Sequence, residues 1–478
     1  MGNEQSSSQK TEGKVDGRPV TFTLHHDESS QERELIWQEH ETPSKGRLTE
    51  KDIIAALPVH AQVPDDYSIL FVAPNEAVDG DTKASPVVFR SLLATKLPLA
   101  FIHHFQPTGN ACWQLRADNG KIPNLHIVVS SGSGTGKAED VWIKLLKAML
   151  EHVCPKADSY ALHFTSSEHT VTELTREVFL PQANEGITQA IILLSGDGGL
   201  VDIVNALLSS SLRSKRYTKP NISMLPLGTG NALANSTGIT SDNTMGLRNL
   251  LQGITKPLPV FSVHFSPGAR LLANEAREEH ALHNLNGTAT VYGAVVCSWG
   301  LHASLVADSD THEYRKHGAE RFQMAAKEAL YPSDSSAAHG YKGRVSFQRP
   351  SSKDWVKVER DTHGYVLATL VSQLEKGFTI SPASKSLDGK LRLIHFGDLG
   401  GQGAMDLMTQ AYGGGKHVED KRCGYEEIAA LRIDFDEDDA RWRRVCVDGK
   451  IVRVEQGGWV EVRSGVETVL DLIVDERH

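Results

Sequence analysis

The chain has 478 residues, of which 40% are hydrophobic and 23% are charged, and its formal net charge is −10. This length exceeds one ordinary hydrophobic core and predicts two domains with an appended segment, and the acidic balance argues against a general nucleic-acid binder, which needs a basic surface. No apolar run reaches the ~18–20 residues of a membrane span, and the five cysteines show no CxxC spacing, which predicts reduced thiols and neither a disulfide framework nor a zinc site.

The first 120 residues carry no motif that is typical of a catalytic site. Residues 1–17 are polar and include a Ser/Gln-rich start, which predicts a disordered tail. This tail begins with MGNEQS, which fits the pattern for myristoylation of Gly2. Residues 18–120 contain short β-like segments separated by polar and Pro/Gly stretches. We interpret them as a small β-rich appendage of unknown role.

From residue 121 to residue 258, short apolar strands alternate with amphipathic helices. Strands are predicted at Leu125–Val129, Tyr160–Phe164, Ala190–Leu194 and Ile222–Leu225. Alternation of this kind is typical of a parallel sheet with helices on both faces. Ligands of such sheets bind at the carboxyl ends of the strands, so we expect a site there.

Three loops of small residues follow three of these strands. The first, at 130–138, is similar to a Walker A motif but lacks the first glycine and the final Ser/Thr of that motif. The second is SGDGG at 195–199, and the third is GTGN at 228–231, where Asn231 is placed to cap the following helix. Backbone N–H groups in such loops can approach phosphate oxygens closely. Together the loops predict a crevice for a nucleoside triphosphate, with Asp197 at its floor.

The residues from 259 to 478 have a different pattern. Alternating and β-branched segments predict a second domain that is mostly antiparallel sheet. A helix is predicted at Tyr314–Leu330, and the Gly-rich stretches Gly397–Gly403 and Gly413–Gly415 are predicted to be loops. The 21 histidines of the chain show no HExxH or comparable spacing, so no protein-only metal site is predicted.

Motifs in both domains resemble those of a known family. Residues 195–207 (SGDG and VNAL) and 225–234 (LPLGTGNALA) resemble the GDG and PxGTGNxLA signatures of the diacylglycerol-kinase catalytic domain. Within that superfamily the chain resembles the sphingosine (long-chain-base) kinases in particular. The second domain adds similar motifs at 298–300, 308–322 and 447–449.

The resemblance covers roughly residues 125–462 and implies a fold and an activity. The implied fold class is α/β: a phosphofructokinase-like doubly wound parallel-sheet domain (121–258) that binds ATP, followed by a β-sandwich domain (259–478) that holds the lipid, with the small β-rich N-terminal appendage in front. The implied reaction is transfer of phosphate from ATP, with Mg²⁺, to the primary hydroxyl of a sphingoid base, which yields the 1-phosphate. The implied setting is cytoplasmic and peripheral to a membrane, because the lipid substrate resides in a bilayer.

The resemblance also implies roles for single residues. Asp197 corresponds to the acid that accepts the proton of the lipid hydroxyl or orients this hydroxyl. Asp308 corresponds to the acid that meets the polar head group, with Asp310 as its rival because an apparent insertion precedes them. The positions expected at the nucleotide are Ser131, Gly132, Ser133, Gly134, Thr165, Gly196, Gly198, Asp202, Gly228, Thr229, Gly230, Asn231, Arg315, Arg321, Asp448 and Gly449.

The sequence departs from the family pattern in three places. Three alternative functions also stay open. The first loop begins with Ser130-Ser131 in place of Asn-Pro, Asp202 replaces a glutamate, and Lys450 replaces a glutamate after the late Asp-Gly. Lys450 reverses a charge near the expected nucleotide. The first alternative is the same chemistry on diacylglycerol or ceramide, and the second is a non-catalytic lipid- or partner-binding protein. The third, a soluble nicotinamide-dinucleotide kinase, shares Gly-Asp-Gly but not the motifs of the second domain.

Overall fold

The fold is that of a computed structural model, which describes residues 9–27, 32–60, 63–76, 84–107, 124–132, 134, 136–153, 160–209, 213–285, 287–318 and 320–476. Gly2 and Ser133 lie outside the described residues, and so does the side chain of Arg315. Among the helices within these ranges, none is long and apolar enough to span a membrane.

The N-terminal part of the chain forms an antiparallel sheet of seven strands. Its elements are β1 (Gln9–Val15), β2 (Arg18–Asp27), β3 (Glu32–Glu39), β4 (Lys45–Thr49), a 3-10 helix (Glu50–Asp52), β5 (Ile53–His60), β6 (Val63–Pro74), β7 (Val87–Thr95) and helix α1 (Leu99–Phe105). The spatial order is β4-β3-β2-β1-β7-β6-β5. The prediction of a disordered tail over residues 1–17 is therefore wrong for residues 9–15. These residues form a strand despite their polar side chains, because all seven pair with β2, and Lys14 and Val15 also pair with β7.

The second part of the chain alternates strands and helices. Its elements are β8 (Leu125–Val129), α2 (Ala138–Val141), a π-helical segment (Trp142–Lys147), α3 (Ala148–Val153), β9 (Tyr160–Phe164), α4 (Thr170–Leu174), a π-helical segment (Thr175–Phe179), α5 (Leu180–Asn184), β10 (Ala190–Ser195), α6 (Asp197–Ser209), β11 (Asn221–Pro226), α7 (Ala232–Ser236), α8 (Leu247–Gln252) and β12 (Ile254–Pro257). Strands β8 to β11 are parallel. Ile191 and Leu193 of β10 belong to one hydrophobic cluster. Ile192 and Leu194 belong to another, on the opposite face, which explains why this strand is a continuous apolar run.

The third part of the chain is a continuous antiparallel sheet of fifteen strands with a separate hairpin, β22–β23. The strands are β13 (Phe261–Phe265), β14 (Arg270–Ala273), β15 (Glu278–Ala281), β16 (Asn284–Leu285), β17 (Thr288–Gly293), β18 (Val296–Gly300), β19 (Tyr341–Gln348), β20 (Val356–Lys357), β21 (Thr362–Thr369), β22 (Gln373–Glu375), β23 (Phe378–Thr379), β24 (Leu391–Gly397), β25 (Cys423–Ile428), β26 (Ala430–Phe435), β27 (Arg444–Val447), β28 (Lys450–Arg453) and β29 (Trp459–Arg463). The helices are α9 (Leu301–Ser309), α10 (His312–Arg315), α11 (Glu320–Leu330), α12 (Gly400–Tyr412) and two 3-10 helices (Lys416–Glu419 and Ala440–Arg443).

This antiparallel sheet encloses its own hydrophobic core, in which Trp299 is completely buried. Its helices α9, α11 and α12 pack on the side that meets the α/β domain, because all three contribute to the cluster that also contains residues of β10 and α6. The fold class predicted from the sequence is confirmed: a parallel-sheet α/β domain is followed by a β-rich domain and preceded by a β-rich segment. The stretch 397–403 is only partly a loop, since α12 begins at Gly400.

The last strand of the chain returns to the α/β domain. β30 (Asp471–Val474) runs parallel to β11 and antiparallel to β12, so the sheet order is β12-β30-β11-β10-β8-β9. The prediction that assigned all of 259–478 to the second domain is therefore wrong for residues 471–474. The physical reason is burial: Leu472, Ile473 and Val474 complete the core of the parallel sheet.

The N-terminal sheet is attached to the α/β domain by a shared core and by one buried arginine. Ile54 of β5 packs in the same hydrophobic cluster as Trp142. Arg248 of α8 is buried, and its Nε donates a hydrogen bond of 2.8 Å to the carbonyl oxygen of Ile53. Its Nη1 forms an ion pair with the Asp242 carboxylate at 3.0 Å. The β-rich appendage is therefore an integral part of the folded unit.

Candidate active site

The loops after β8, β10 and β11 meet at one edge of the parallel sheet. β8 and β10 are neighbours, although the chain passes through β9 between them, and this arrangement is a topological switch point, where open α/β sheets bind ligands. A Cβ atom placed on Gly134 would lie 2.7 Å from Cα of Gly228, and one on Gly196 would lie 2.8 Å from the same atom. No side chain fits at such distances, so the three loops touch backbone to backbone and form one crevice.

Asp197 is the first residue of α6 and lies at this crevice with a buried carboxyl group. Its Oδ2 accepts a hydrogen bond of 3.3 Å from the N–H of Leu233, in the first turn of α7. Its Oδ1 is buried and, within the described residues, has no hydrogen-bond partner. Burial raises the pKa of Asp197 to about 6, while the N–H groups of Leu233 and Ala232 oppose part of this rise. A carboxylate with one free oxygen and a pKa near neutrality is suited to accept a proton from a hydroxyl group.

This raised pKa leads to a first testable prediction, the pH dependence of the rate. Asp197 must be deprotonated to act as a base, so kcat/KM is expected to fall with decreasing pH, about tenfold per pH unit below the pKa of about 6. Initial rates measured from about pH 5 to pH 8 test this expectation. A rate that stays constant across this range would contradict the role of Asp197 as a base.

The third loop is closed by the side chain of Asn231, which has a left-handed backbone with φ of +51°. Its Oδ1 accepts a hydrogen bond of 2.9 Å from the N–H of Gly228, and its Nδ2 donates one of 2.8 Å to the carbonyl oxygen of Gly228. The prediction that Asn231 caps the following helix is therefore wrong. The side chain closes the loop instead, and Asp197 accepts from the first turn of α7.

The other nucleotide residues predicted in the α/β domain lie at the same edge of the sheet. Thr165 directly follows β9, and its N–H donates a hydrogen bond of 2.9 Å to the carbonyl oxygen of Val129 at the end of β8. The residues that the structure brings to this edge are Ser131, Gly132, Gly134, Thr165, Gly196, Gly198, Gly228, Thr229 and Gly230. Their assignment to a nucleotide stays a prediction.

Asp448 and Gly449 form the two-residue turn between β27 and β28, with φ of +49° and +87°. Such positive φ angles at both residues are those of a tight β-hairpin turn. The buried Asp448 carboxyl accepts hydrogen bonds from three successive N–H groups, those of residues 294 (2.6 Å), 295 (3.1 Å) and 296 (2.5 Å). Burial is the main cause that raises the pKa of Asp448 to about 7, and the charge of Asp197 adds to it. The second domain thus brings its own carboxyl group within electrostatic range of Asp197.

Helix α6 links the two domains through two polar contacts. Nζ of Lys450 lies 2.5 Å from Oδ1 of Asp202, so the lysine that departs from the family pattern pairs with the acid that also departs from it. The Asp202 carboxylate, predicted at the nucleotide, is therefore bound to the second domain. Asn205 donates a hydrogen bond of 2.8 Å to the carbonyl oxygen of Tyr292 and accepts one of 2.9 Å from its N–H. Sequence reasoning did not assign this role to Asn205, although a lone amide on an apolar helix was a usable signal.

The two acids predicted at the head group are already paired with arginines. Oδ1 of Asp308 lies 2.8 Å from Arg444, and its Oδ2 lies 3.0 Å from Arg441. Asp310 lies 3.3 Å from Arg321, an arginine that was predicted to reach the phosphates. Two guanidinium groups offset the charge of Asp308, so it has little attraction left for a cationic head group. Asp308 does not line the apolar cavity described below, and its assignment to the head group stays a prediction.

An apolar cavity of about 450 Å³ lies beside the third loop. Its walls come from α9, α11, α12 and the hairpin β22–β23, and Gly230 lies on its lining. Side chains that line it include Leu305, Phe322, Ala326, Met405 and Met408. Flexible methionines adapt to irregular apolar ligands, and the volume lies in the range of small-molecule sites. The sequence analysis expected a lipid site in the second domain but did not identify the walls of this cavity, because it did not predict α9 and α12.

Comparisons with known proteins identify one catalytic domain in the chain. Residues 124–263 match the family model of the diacylglycerol kinase catalytic domain. The chain carries this catalytic domain, and the class of protein is that of the lipid kinases.

The curated relatives that the chain matches are sphingosine kinases. The chain is 24% identical over 350 residues to sphingosine kinase 1 of Homo sapiens, covering 64% of this chain and 81% of that protein. It is 24% identical over 280 residues to sphingosine kinase 1 of Arabidopsis thaliana, covering 51% of this chain and about half, 52%, of that protein. Among solved structures, a diacylglycerol kinase from Bacillus anthracis str. Sterne is 16% identical with a TM-score of 0.48, covering 74% of this chain and 98% of that one.

Proposed function

We propose that this protein is an ATP-dependent kinase that phosphorylates the primary hydroxyl group of a sphingoid long-chain base to give the 1-phosphate. The observation that carries the proposal is that the apolar cavity includes Gly230 of the third loop in its lining. Three residues further along the same segment, the N–H of Leu233 binds Asp197. An alkyl chain in the cavity would therefore place its polar end beside the nucleotide loops and near the buried carboxylate.

In the proposed reaction, the residues of the chain position the reactants and accept one proton. Backbone N–H groups of the three loops line the phosphates of ATP. The lipid oxygen forms a bond to the γ-phosphorus while the bond from that phosphorus to the ADP oxygen breaks, and Oδ1 of Asp197 takes the hydroxyl proton. Phosphoryl transfer depends mainly on positioning and charge compensation. One buried carboxylate at the hydroxyl group is therefore the only side chain that needs to take part in proton transfer.

We include Mg²⁺ in this proposal. Within the described ranges, no cluster of three or more His, Cys, Asp or Glu side chains could hold a metal ion. Mg²⁺ at kinase sites is usually held by one or two carboxylates together with the phosphates of the substrate. Asp448 would hold it in that way, since its carboxylate accepts three hydrogen bonds and has about four acceptor sites. The ion would supply positive charge that offsets the charge of the phosphates.

We also propose that the protein acts in the cytoplasm at a membrane surface, because a long-chain base resides in a bilayer. Myristoylation of Gly2 would supply one anchor, and a single acyl chain gives only marginal, reversible binding. Diacylglycerol or ceramide is the second candidate acceptor, since the nucleotide loops do not contact the acyl part of a lipid. The cavity volume of about 450 Å³ is at the lower end for ligand sites and fits one alkyl chain better than two.

A lipid panel tests the proposed substrate. The full-length chain is incubated with radiolabelled ATP, Mg²⁺ and either sphingosine, ceramide or diacylglycerol. We expect the fastest transfer to sphingosine. Transfer to diacylglycerol without transfer to sphingosine would overturn the substrate assignment, and binding of ATP without transfer to any lipid would favour the non-catalytic alternative.

A cavity-filling variant tests where the lipid binds. Ala326→Trp inserts an indole into the cavity from α11 and is expected to lower kcat/KM for a long-chain base about tenfold or more, by excluding the alkyl chain. Lys327→Trp is the matched control, because this neighbouring side chain is exposed and does not line the cavity. Equal activities of the two variants in the lipid assay would place the alkyl chain elsewhere.

A further inference from the structure

Glu375 is an acidic residue in the wall of the apolar cavity. It is the last residue of β22, and the hairpin β22–β23 is anchored to α7 by the N–H of Gln373, which donates a hydrogen bond of 3.0 Å to Oγ of Ser236. A Cβ atom placed on Gly230 would lie 3.3 Å from the carbonyl oxygen of Leu374. Glu375 and Gly230 both line the cavity. The hairpin that carries Glu375 is thus held beside the third loop.

The negative charge of Glu375 has no cationic partner in the part of the chain that the structure describes. Its side chain is half-buried, and its Oε1 accepts a hydrogen bond from the hydroxyl of Tyr412 on α12. Burial and the neighbouring Glu375 raise the pKa of Tyr412, so that hydroxyl stays a donor. The second carboxylate oxygen of Glu375 is left for a ligand.

The other acidic residues described above already have a partner or a role, whereas Glu375 has no cationic partner among the described residues. Asp308 pairs with two arginines, and Asp202 pairs with Lys450. Asp448 accepts three backbone hydrogen bonds, and Asp197 lies at the position of the reacting hydroxyl. An unpaired carboxylate on an apolar wall attracts a cation more strongly than one in water, because the surroundings screen the charge less. A cation on the ligand itself would satisfy Glu375.

We propose that Glu375 binds the ammonium group of the acceptor lipid and thereby selects sphingoid bases over uncharged lipids. In a sphingoid base the ammonium group is on the carbon next to the one that bears the reacting hydroxyl. Glu375 and Asp197 would then contact two adjacent groups of one head, from the second domain and the α/β domain respectively. Ceramide and diacylglycerol carry no cation and gain nothing from Glu375. This inference rests on the proposed function and names the determinant of its substrate.

The experiment compares the wild type with Glu375→Gln in the full-length chain, using sphingosine and the uncharged N-acetylsphingosine as acceptors. Glu375→Gln is expected to raise KM for sphingosine about 10- to 100-fold, as expected for loss of a hydrogen bond to a charged group, with little change in kcat. The rate of phosphate transfer to N-acetylsphingosine by Glu375→Gln is expected to stay within about twofold of the wild-type rate, since this lipid makes no charged contact that could be lost.

Three further variants control this comparison. Glu278→Gln removes an exposed carboxylate on β15 and is expected to leave both KM values unchanged. Glu375→Asp keeps the charge and is expected to raise the KM for sphingosine less than Glu375→Gln does. Tyr412→Phe removes the hydrogen bond that positions the carboxylate and is expected to raise only the KM for sphingosine, so it tests the inference even where Glu375→Gln folds poorly.

Two outcomes overturn the inference in distinguishable ways. If the wild type phosphorylates sphingosine, and Glu375→Gln and Tyr412→Phe do so with an unchanged KM, Glu375 is not the head-group contact and the proposed function stands. If the wild type phosphorylates only uncharged lipids, both the proposed function and this inference fail.

Discussion

Asp197→Asn is expected to lower the rate of phosphoryl transfer by about 10²- to 10⁴-fold, the usual contribution of a positioned base. The amide oxygen can still accept the hydrogen bond from the N–H of Leu233, so α6 and α7 keep their arrangement. An amide cannot accept the hydroxyl proton, so the chemical step is lost. The measurement is the initial rate with sphingosine, together with nucleotide binding to show an intact crevice. A variant that keeps more than about a tenth of the rate would exclude Asp197 as the base.

The same substitution is expected to stabilise the protein at neutral and alkaline pH. Burial raises the pKa of Asp197 from 3.8 to about 6, so between these values the folded state binds more protons than the unfolded state. Stability from this group is therefore present below about pH 4 and is lost as pH rises through 6. Asparagine does not ionise, and the free energy of unfolding is expected to rise by about 1–3 kcal/mol at pH 8, with no gain at pH 4.

Chemical denaturation of the ligand-free protein at both pH values measures this effect. Asp354→Asn serves as the control, because it removes an exposed carboxylate of the same charge. Its free energy of unfolding is expected to differ little from that of the wild type at either pH. A variant of Asp197 that is no more stable than the wild type at pH 8 would show that the buried carboxylate carries no ionisation cost.

Arg248→Ala is expected to lower the free energy of unfolding by about 3–5 kcal/mol, because it leaves the buried Asp242 carboxylate without its cation. The substitution also removes the hydrogen bonds from the guanidinium group to the carbonyl oxygen of Ile53. The N-terminal sheet is expected to detach first, which limited proteolysis followed by mass spectrometry would detect. Arg277→Ala, in an exposed ion pair with Glu275, is the control and is expected to cost less than about 1 kcal/mol. Equal stability of the two variants would contradict the attachment by Arg248.

The α/β fold and its crevice could be predicted because their signals are local. A strand buried on both faces is a short apolar run, and a loop that must approach another backbone needs glycine, as Gly134 and Gly196 do. From these signals the order of the strands along the chain and the place of Asp197 at the end of a strand could be predicted. The π-helical segments within two of the helices left no such trace in the apolar pattern.

The partners of the polar residues could not be predicted in the same way. Arg441 and Arg444 meet Asp308 from more than a hundred residues away, and Lys450 meets Asp202 across the two domains. Such pairs depend on how elements pack, and one sequence without its fold does not reveal them. The walls of the cavity were not predicted for a related reason. Helix α12 begins with glycines, which are typical of loops, and it forms because its apolar side packs in the shared core.

The return of β30 to the parallel sheet has a consequence for how the protein is made. β30 lies between β11 and β12, so the sheet that carries the nucleotide loops has a gap until residue 474 has left the ribosome. The fifteen-stranded sheet, by contrast, has all its strands by residue 463. During synthesis the fifteen-stranded sheet can therefore assemble before the parallel sheet is closed. The parallel sheet, whose loops form the crevice, is then completed after the antiparallel sheet.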